Sequence, residues 1–251
     1  MRGAQAVRVF VRSAARPLEH PLLSVDGMNT QDTPIGEIAA THPAATRVFL
    51  RHKLDFCCGG KRTLATACRQ AGLDPAAIDL ELQTEAARGD DADRWETRSP
   101  AELVAHIEAH YHAALRRDVP PLIEAARKVE RVHADKVGVP VGLADELAGF
   151  WEEMQRHMHK EEDILFPAIR RGVRGSDIAP PVRVMEHEHD AHALRLDRIR
   201  ELTGTMVPPA HACATWRALY AGLAQLEREL MLHIHLENHV LFARVTQPGA
   251  S

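Results

Sequence analysis

Apolar residues recur every three or four positions along most of this 251-residue chain, and stretches that alternate apolar with polar residues are missing. A period near 3.6 residues places apolar side chains on one face of an α-helix, whereas alternation is typical of a strand. We therefore predict an all-α protein. The polar run Gly89–Arg94 separates two groups of helical patterns and predicts a linker.

The first group, residues 31–90, has the pattern of a small domain of four short helices. Thr33-Pro34 fits an N-cap followed by proline at the first helical position, and Gly72 fits the end of the third helix. Between the second and third helices, the motif Phe56–Gly60 holds two adjacent cysteines and two glycines. We expect a sharp turn that exposes both thiols, and a thiolate stabilised by the next helix N-terminus.

The second group, residues 98–246, contains four long helical patterns, which predict a four-helix bundle. Ser99-Pro100 predicts the start of the first helix, which we expect to reach about residue 132 with a disturbance at Pro120-Pro121. The other three helices are predicted at roughly residues 143–171, at roughly 181–203, and from Pro208-Pro209 to about 245.

Heptad steps along each bundle helix show histidines interrupting an apolar face. One inward histidine is usually a hydrogen-bonded core residue, but interruptions on four helices argue for a shared site. The predicted inward positions of the first and third helices are His112, Leu115, Val119, Leu122, Ala126 and Val129, and Met185, His189, His192, Leu196 and Ile199. Those of the second and fourth are Leu147, Phe150, Met154, His157, Glu161, Ile164 and Ala168, and Trp216, Leu219, Leu223, Leu226, Leu230, His233, Glu237 and Val240.

Two helices carry a His-x-x-x-Glu pair, His157 with Glu161 and His233 with Glu237. Residues four apart lie on the same helix face, so each pair aims an imidazole and a carboxylate into one volume. Buried carboxylates that face each other are costly unless cations neutralise them. The sequence therefore predicts a metal site in the bundle core, with carboxylates able to bridge two metals.

This ligand set contains no thiolate, which suits iron or manganese, and zinc less specifically. Four imidazoles and two carboxylates are too many for one tetrahedral zinc, whereas two octahedral irons would keep positions open for dioxygen or nitric oxide. The pattern leaves the choice between His189 and His192 open. Glu108, one turn before His112, could add a carboxylate.

The chain has 16 histidines, about three times the number usual for a soluble protein of this length. Helical phase places His159 and His235 about 160° from the inward faces, which favours a role at the surface or in support of the ligands. His106, His110 and His187 also lie near the predicted ligands in the sequence, and their roles stay open.

The overall composition excludes several classes of protein. A net charge of −4 gives no basic excess for nucleic acid, and no apolar run is long enough to cross a bilayer. Four cysteines, two of them adjacent, do not make a disulfide framework, so we expect reduced thiols and a cytoplasmic location. Residues 1–30 contain four arginines before the first acidic residue, as in some transit peptides. Helix signals begin directly after Met28, so we expect a disordered leader or a misassigned start.

Four stretches resemble signatures of the iron-sulfur cluster repair di-iron proteins, the RIC or YtfE/ScdA-type family: Lys128–Lys136, Lys160–Pro167, Glu188–Asp190 and Leu236–Phe242. The motif Phe56–Gly60 is similar to the aromatic-Cys-Cys-Gly-Gly mark of that family's N-terminal module, with Phe where Tyr is common. The resemblance extends over nearly everything from Pro34 to Arg244. It implies a haemerythrin-like four-helix bundle with a small N-terminal helical domain.

The resemblance also implies which residues bind metal. It implies two non-haem iron ions, bridged by Glu161 and Glu237 and joined by an oxo group when oxidised, and a thiol role in repair for Cys57 and Cys58. Oxygen-carrying haemerythrins would place a histidine where Ala193 stands, which speaks against a plain oxygen carrier. They would also place an aspartate at Asn238. Carried over by position, the family's ligands fall on His112, His157, Glu161, His189, His233 and Glu237.

The function that the resemblance implies is repair of iron-sulfur clusters damaged by nitric oxide or oxidants, with damaged iron-sulfur proteins as partners. In one mechanism the centre gives up iron, helped by the cysteine pair. In another, the diferrous centre binds nitric oxide and reduces it to nitrous oxide. A sensor of dioxygen or nitric oxide and a purely structural bundle are further alternatives. The sequence leaves both a monomer and a homodimer open.

Overall fold

A computed structural model describes residues 30–87 and 95–247 of the chain. The expected leader, apart from residue 30, and the predicted linker lie outside the described residues. Within these two ranges the protein is helical and has no strand, and Pro34 and Thr63 form an isolated β-bridge. The prediction of an all-α, haemerythrin-like fold is confirmed. None of the described helices is both long and apolar enough to cross a membrane.

The small N-terminal domain has the four helices that the sequence predicts: Ile35–Thr41, Ala45–Arg51, Leu64–Gln70 and Pro75–Ala87. The prediction that Thr33 is the first N-cap is wrong by one residue, because Pro34 occupies the N-cap position. Backbone N–H groups of Ile35 and Gly36 donate instead to the carbonyls of Arg62 and Gly60. These bonds attach the first helix directly to the turn that carries the cysteines.

The bundle contains four long helices, three of which include a π-helical stretch. The first consists of Pro100–His106, the π-helix Ile107–His112 and Ala113–Val132, and the second of Leu143–Lys160, the π-helix Glu161–Leu165 and Phe166–Arg170. The third is Ala179–Thr203, and the fourth consists of Ala214–His235, the π-helix Leu236–Phe242 and Ala243–Val245. Ser99 and Glu102 form the predicted capping box at the start of the first helix.

Two predictions about prolines are wrong. The first bundle helix continues through Pro120 and Pro121. The residues four positions earlier, Arg116 and Arg117, are exposed, so water can replace the missing N–H donors. The fourth helix begins at Ala214 and not at Pro208-Pro209. The guanidinium of Arg217 donates to two carbonyls of the preceding loop and holds it in a turn.

Two apolar clusters fill the molecule, and the predicted ligands lie at the level where they meet. Along the first helix, one cluster extends to Tyr111 and the other begins at Leu115. Along the second helix the order is reversed, with the change between Met158 and Leu165. This reversal is the arrangement of antiparallel neighbours in a bundle. The cluster that begins at Leu115 also includes the core of the small domain, so the two domains share one apolar interior.

The π-helix in the second bundle helix corrects the predicted inward face. Ile164 was predicted to point inward but is 61% exposed, whereas Leu165 is buried. A π-turn inserts one extra residue, which rotates everything after it by about 100°. The heptad series is therefore right up to Glu161 and fails just beyond it.

Candidate metal centre

The three π-helical stretches lie at the level of the predicted ligands. His112 is the last residue of the first stretch, Glu161 the first residue of the second, and Glu237 the second residue of the third. Such single-turn irregularities interrupt the regular ladder of backbone bonds and frequently mark functional sites. Here they adjust the helix phase where ligands from four helices must converge.

The six predicted ligands meet in two overlapping groups. His112 and His233 belong to one group and His157 and His189 to the other, and both groups contain Glu161 and Glu237. Within each group, one ligand atom from every residue lies within 4.8 Å of the others. The inward pattern left His189 and His192 as alternative ligands. Because His192 belongs to neither group, the structure favours His189.

Each glutamate presents one oxygen to each group. Glu161 Oε2 lies 3.3 Å from His112 Nε2, and Glu161 Oε1 lies 3.4 Å from His157 Nε2. Glu237 repeats the arrangement, with Oε1 at 3.0 Å from His233 Nε2 and Oε2 at 3.1 Å from His189 Nε2. Each of the two groups could therefore hold a cation with one oxygen from each carboxylate.

Burial and unmet hydrogen bonds indicate that this donor set fits cations. All six side chains are buried, yet His112 Nε2, both oxygens of Glu161 and Glu237 Oε2 make no hydrogen bond. Buried polar atoms without partners are rare in folded proteins because each costs about 1–3 kcal/mol. His157 Nε2 and His189 Nε2 also face each other at 3.1 Å. These atoms converge on shared positions, which a cation would satisfy.

The pKa values of the metal-free site show how strongly the ligands interact. Burial lowers the pKa of His157, but Glu161 and Glu188 more than offset it, so that the pKa rises to about 10. Burial acts to raise the pKa of Glu237, yet His233 and His189 hold it well below its usual value. The metal-free centre therefore keeps glutamate charged and His157 protonated, and a bound cation would displace that proton.

Three of the four histidines are held in place by a hydrogen bond on the second ring nitrogen. Nδ1 of His112 lies 2.7 Å from Glu162, and Nδ1 of His157 lies 2.9 Å from Glu188. Nδ1 of His189 donates to Asn238 at 2.8 Å. Such partners fix the ring orientation and leave Nε2 for the metal. Asn238 thus orients the predicted ligand His189.

We expect Glu188→Gln to lower the affinity for iron by about 10- to 100-fold, because a partner that orients a ligating histidine contributes about that much. The carboxylate of Glu188 accepts from His157 and pairs with Lys160, and these two partners lower its pKa to about 2. Competition against a coloured iron chelator would measure the change. Glu201→Gln, at an exposed position on the same helix, is the matched control. Equal affinities for the two variants would show that Glu188 does not support the metal.

The residues whose roles stayed open in the sequence lie outside both ligand groups. His192 is buried, with its ring centre 4.9 Å from that of His157, and burial lowers its pKa to about 3. His192 is therefore uncharged at neutral pH and packs beside the predicted ligand His157. Glu108 pairs with Arg170, with Oε1 at 3.1 Å from Nη1.

The outer histidines of the bundle do not approach the ligands. His159 is exposed and pairs with Asp163 at 3.0 Å, in agreement with its predicted phase. His187 is also exposed. His106 stacks on Trp95 with ring centres 4.1 Å apart, and His110 stacks on His106 at 5.1 Å. These rings form an aromatic stack on the outer side of the first helix.

His235 was expected at the surface or beside the ligands, and this expectation is wrong. Its ring is buried against Phe56 of the small domain, with ring centres 5.2 Å apart. The helical phase was correct, since His235 points away from the bundle core. The small domain covers that face, which a pattern calculated for the bundle alone treats as solvent.

Sequence reasoning missed His239, which attaches the small domain to the bundle. Its Nε2 donates to the carbonyl of Cys57 at 2.8 Å. A Cβ atom on Gly36 or on Gly60 would lie 2.4 Å or 2.3 Å from this ring. The ring therefore lies between Gly36 and Gly60, and a larger residue at either position would clash with it. The signal in the sequence was His239 four residues after His235, on the same outward face.

The cysteine turn differs from its prediction. Cys57 is buried, and its thiol donates to Asp55 Oδ1 at 3.2 Å, whereas Cys58 is partly exposed. The hydrogen bond with Cys58, burial and the nearby Asp55 raise the pKa of Cys57 well above its usual value. The predicted exposure and thiolate stabilisation are therefore wrong for Cys57, because the turn folds around an acidic side chain. Cys58 donates to the carbonyl of His189 at 3.4 Å, which brings it against the backbone of a ligand.

Comparison with known proteins identifies both parts of the chain. Residues 31–86 match a family model described as a domain of unknown function, DUF542, and residues 103–245 match the haemerythrin HHE cation-binding domain. A protein from Pectobacterium atrosepticum is 45% identical over 217 residues, which is 86% of this chain and 98% of the relative. One from Yersinia pseudotuberculosis is 44% identical with the same coverage. Both relatives carry the name iron-sulfur cluster repair protein YtfE.

Proposed function

The chain belongs to the iron-sulfur cluster repair protein family, and from that membership we propose that it repairs clusters damaged by nitrosative or oxidative stress, using iron from a two-iron centre. Damaged iron-sulfur proteins would be its partners. The four cysteines are free thiols, which suits the reducing cytoplasm where we expect this repair to occur.

The observation that carries this proposal is the sharing of Glu161 and Glu237 between two histidine pairs. The six residues would hold two iron ions side by side, and iron bound there would supply the ions that a damaged cluster lacks. Each ion would have two imidazoles and one oxygen from each of the two carboxylates, so an octahedral ion would keep open positions. Cluster sites in client proteins bind iron through thiolates. A thiolate-free centre can therefore lose its iron to them.

The position of the cysteine turn supports iron transfer. Cys58 Sγ lies 3.4 Å from the carbonyl of His189, so a thiol stands directly behind a ligand of the centre. A cleft of about 310 Å³ beside the turn is lined by Asp55, Cys57 and residues of the third bundle helix. A client protein that docks over this cleft would meet Cys57 before it meets the centre.

Incubation with a client enzyme tests donation. Iron-loaded protein is mixed anaerobically with an apo or nitrosylated iron-sulfur enzyme, and the client's recovered activity is compared with that produced by the same amount of free ferrous iron. We expect faster and more complete recovery with the protein. Recovery no better than that from free iron would contradict donation.

We expect Cys57→Ala combined with Cys58→Ala to leave the iron content of the bundle unchanged and to reduce this recovery to the level of free iron. The reason is that both thiols lie outside the two ligand groups, and Cys57 lines the outer cleft. Iron analysis and the client assay measure the two effects separately. Cys68→Ala, a buried cysteine of the same domain, is the matched control. Unchanged repair in the double variant would remove the cysteines from the mechanism.

A second candidate function is reduction of nitric oxide, and an apolar cleft favours it. The cleft has a volume of about 250 Å³ and extends between the first and fourth bundle helices to Tyr111 and the ligand His233. Its walls are mostly apolar, including Leu115, Leu122 and Leu226, which suits a small uncharged gas. Two ferrous ions would supply the two electrons that convert two nitric oxide molecules and two protons into nitrous oxide and water.

Anaerobic addition of nitric oxide to the reduced protein, with an electron donor present, tests this candidate. Nitrous oxide formed over many turnovers would support it. One turnover or none would contradict catalytic reduction. Nitric oxide would then be a ligand of the centre and not its substrate.

A further inference from the structure

Three metal-ligating side chains come together at the cysteine turn, outside the bundle core. Asp55, Cys57 and Cys58 each offer one ligand atom, and these atoms lie within 4.8 Å of one another. Cys57 Sγ lies 3.2 Å from Asp55 Oδ1 and 3.9 Å from Cys58 Sγ. The group differs in kind from the bundle centre, because two of its three ligands are thiols.

The spacing of the two sulfur atoms fits a tetrahedral metal ion. With metal–sulfur bonds of about 2.3 Å, two thiolates on a tetrahedral ion lie about 3.8 Å apart. The observed separation of 3.9 Å is close to that edge length. It is far from the roughly 2.05 Å of a disulfide bond, and both cysteines are free.

We propose that Asp55, Cys57 and Cys58 form a second metal site, which takes a thiolate-preferring divalent ion in tetrahedral coordination, with ferrous iron in transit as its occupant. Binding releases the two thiol protons and leaves two thiolates and one carboxylate on the ion. A fourth position stays open toward the cleft of about 310 Å³, which Asp55 and Cys57 line. Three protein ligands and one open position characterise metal sites that exchange ligands.

The local structure holds these ligands ready. The carboxylate of Asp55 accepts from the backbone N–H groups of Cys58 and Gly59, at 3.1 Å and 2.9 Å, which fixes it above the turn. Arg62 Nη2 lies 3.4 Å from Asp55 Oδ2 and offsets part of the negative charge that a loaded site would carry.

The site lies against the bundle centre. The Cys58 thiol contacts the carbonyl of His189, and the Cys57 carbonyl accepts from His239, two residues after the shared Glu237. An ion held by these residues would therefore lie between the backbone of His189, a predicted ligand of the bundle centre, and the cleft that Asp55 and Cys57 line. Its use as a stage in iron transfer rests on the proposed repair function, whereas metal binding at the turn does not.

A cobalt titration tests the site. Full-length protein with its bundle loaded with iron is kept anaerobic with reduced thiols and titrated with Co²⁺, and the difference absorption spectrum is recorded. We expect near-ultraviolet sulfur-to-cobalt bands and strong visible bands of tetrahedral cobalt, saturating at one cobalt per chain. Cys57→Ser with Cys58→Ser should abolish these bands, and Cys68→Ala should keep them. Iron content and far-ultraviolet circular dichroism confirm that each variant is folded.

Absence of thiolate bands in the parent protein, or bands that persist in the double variant, would overturn the second site. The titration does not depend on any client protein, so the two proposals can fail separately. Cobalt bound as expected together with failed client repair would keep the metal site and remove the repair mechanism.

Discussion

We expect Glu161→Ala and Glu237→Ala each to leave the bundle with almost no iron, because each change would remove a ligand oxygen from both of the proposed metal positions at once. His112→Ala removes a ligand from one position only, so its iron content should fall to between the parent value and that of the glutamate variants. The loss in the glutamate variants should exceed the roughly 100-fold effect of a residue that only supports a ligand. Elemental analysis after anaerobic loading and gel filtration measures the iron bound per chain.

The glutamate variants should still fold. Each change removes a buried carboxylate that pairs with histidines in the metal-free site, so the metal-free variants should be less stable than the metal-free parent by about 3–5 kcal/mol. Thermal unfolding after chelation checks this point. Glu152→Ala, exposed on the same helix as Glu161, is the control and should keep its iron. Full iron content in both glutamate variants would make the ligand assignment wrong.

Gly36→Ala should destabilise the protein by about 1–3 kcal/mol, the usual cost of forcing an extra methyl group into a filled space. Gly36 lies in the helix Ile35–Thr41, where alanine would ordinarily stabilise. Its Cβ atom would lie 2.4 Å from the ring of His239, which is held by the Cys57 carbonyl and by Gly60 on its other side. Thermal unfolding, and the rate at which a protease releases the small domain, measure the effect.

Gly149→Ala is the matched control, because it makes the same chemical change inside another helix. The nearest atom to its Cβ would be the flexible tip of Arg195, at 3.5 Å, so this change should stabilise by about 0.5–1 kcal/mol. Adding His239→Ala to Gly36→Ala should recover part of the loss. If Gly36→Ala and Gly149→Ala change the free energy of unfolding in the same direction, His239 does not hold the domains together.

The sequence indicates correctly that the six predicted ligands face one another, because their directions are set by local geometry. His157 and Glu161 are four residues apart on regular helix, so the pattern before Glu161 gives their direction correctly. The pattern fails at Ile164, since the inserted π-turn depends on how four helices fit together. The packing of His239 between Gly36 and Gly60 was also beyond reach, because it forms between residues about 200 positions apart.

The buried state of Cys57 was missed for a related reason. The glycines correctly indicated a sharp turn, but the pattern could not show that Asp55 would occupy the centre of that turn. A carboxylate in that place reverses the expected electrostatics. Local sequence thus predicted the existence of the turn, and the long-range packing decided its chemistry.

Three consecutive residues of the π-helix Leu236–Phe242 point to three different parts of the molecule. Glu237 belongs to both groups of predicted ligands, Asn238 orients His189, and His239 enters the small domain. A shift of this stretch would therefore be felt at all three places. Coupling between two sites is reciprocal. If docking of the small domain increases the affinity of the bundle for metal, then bound metal stabilises the docked domain by the same free energy. Loss of iron would then weaken the contact that buries Cys57. The exposure of this thiol would therefore depend on whether the bundle holds iron.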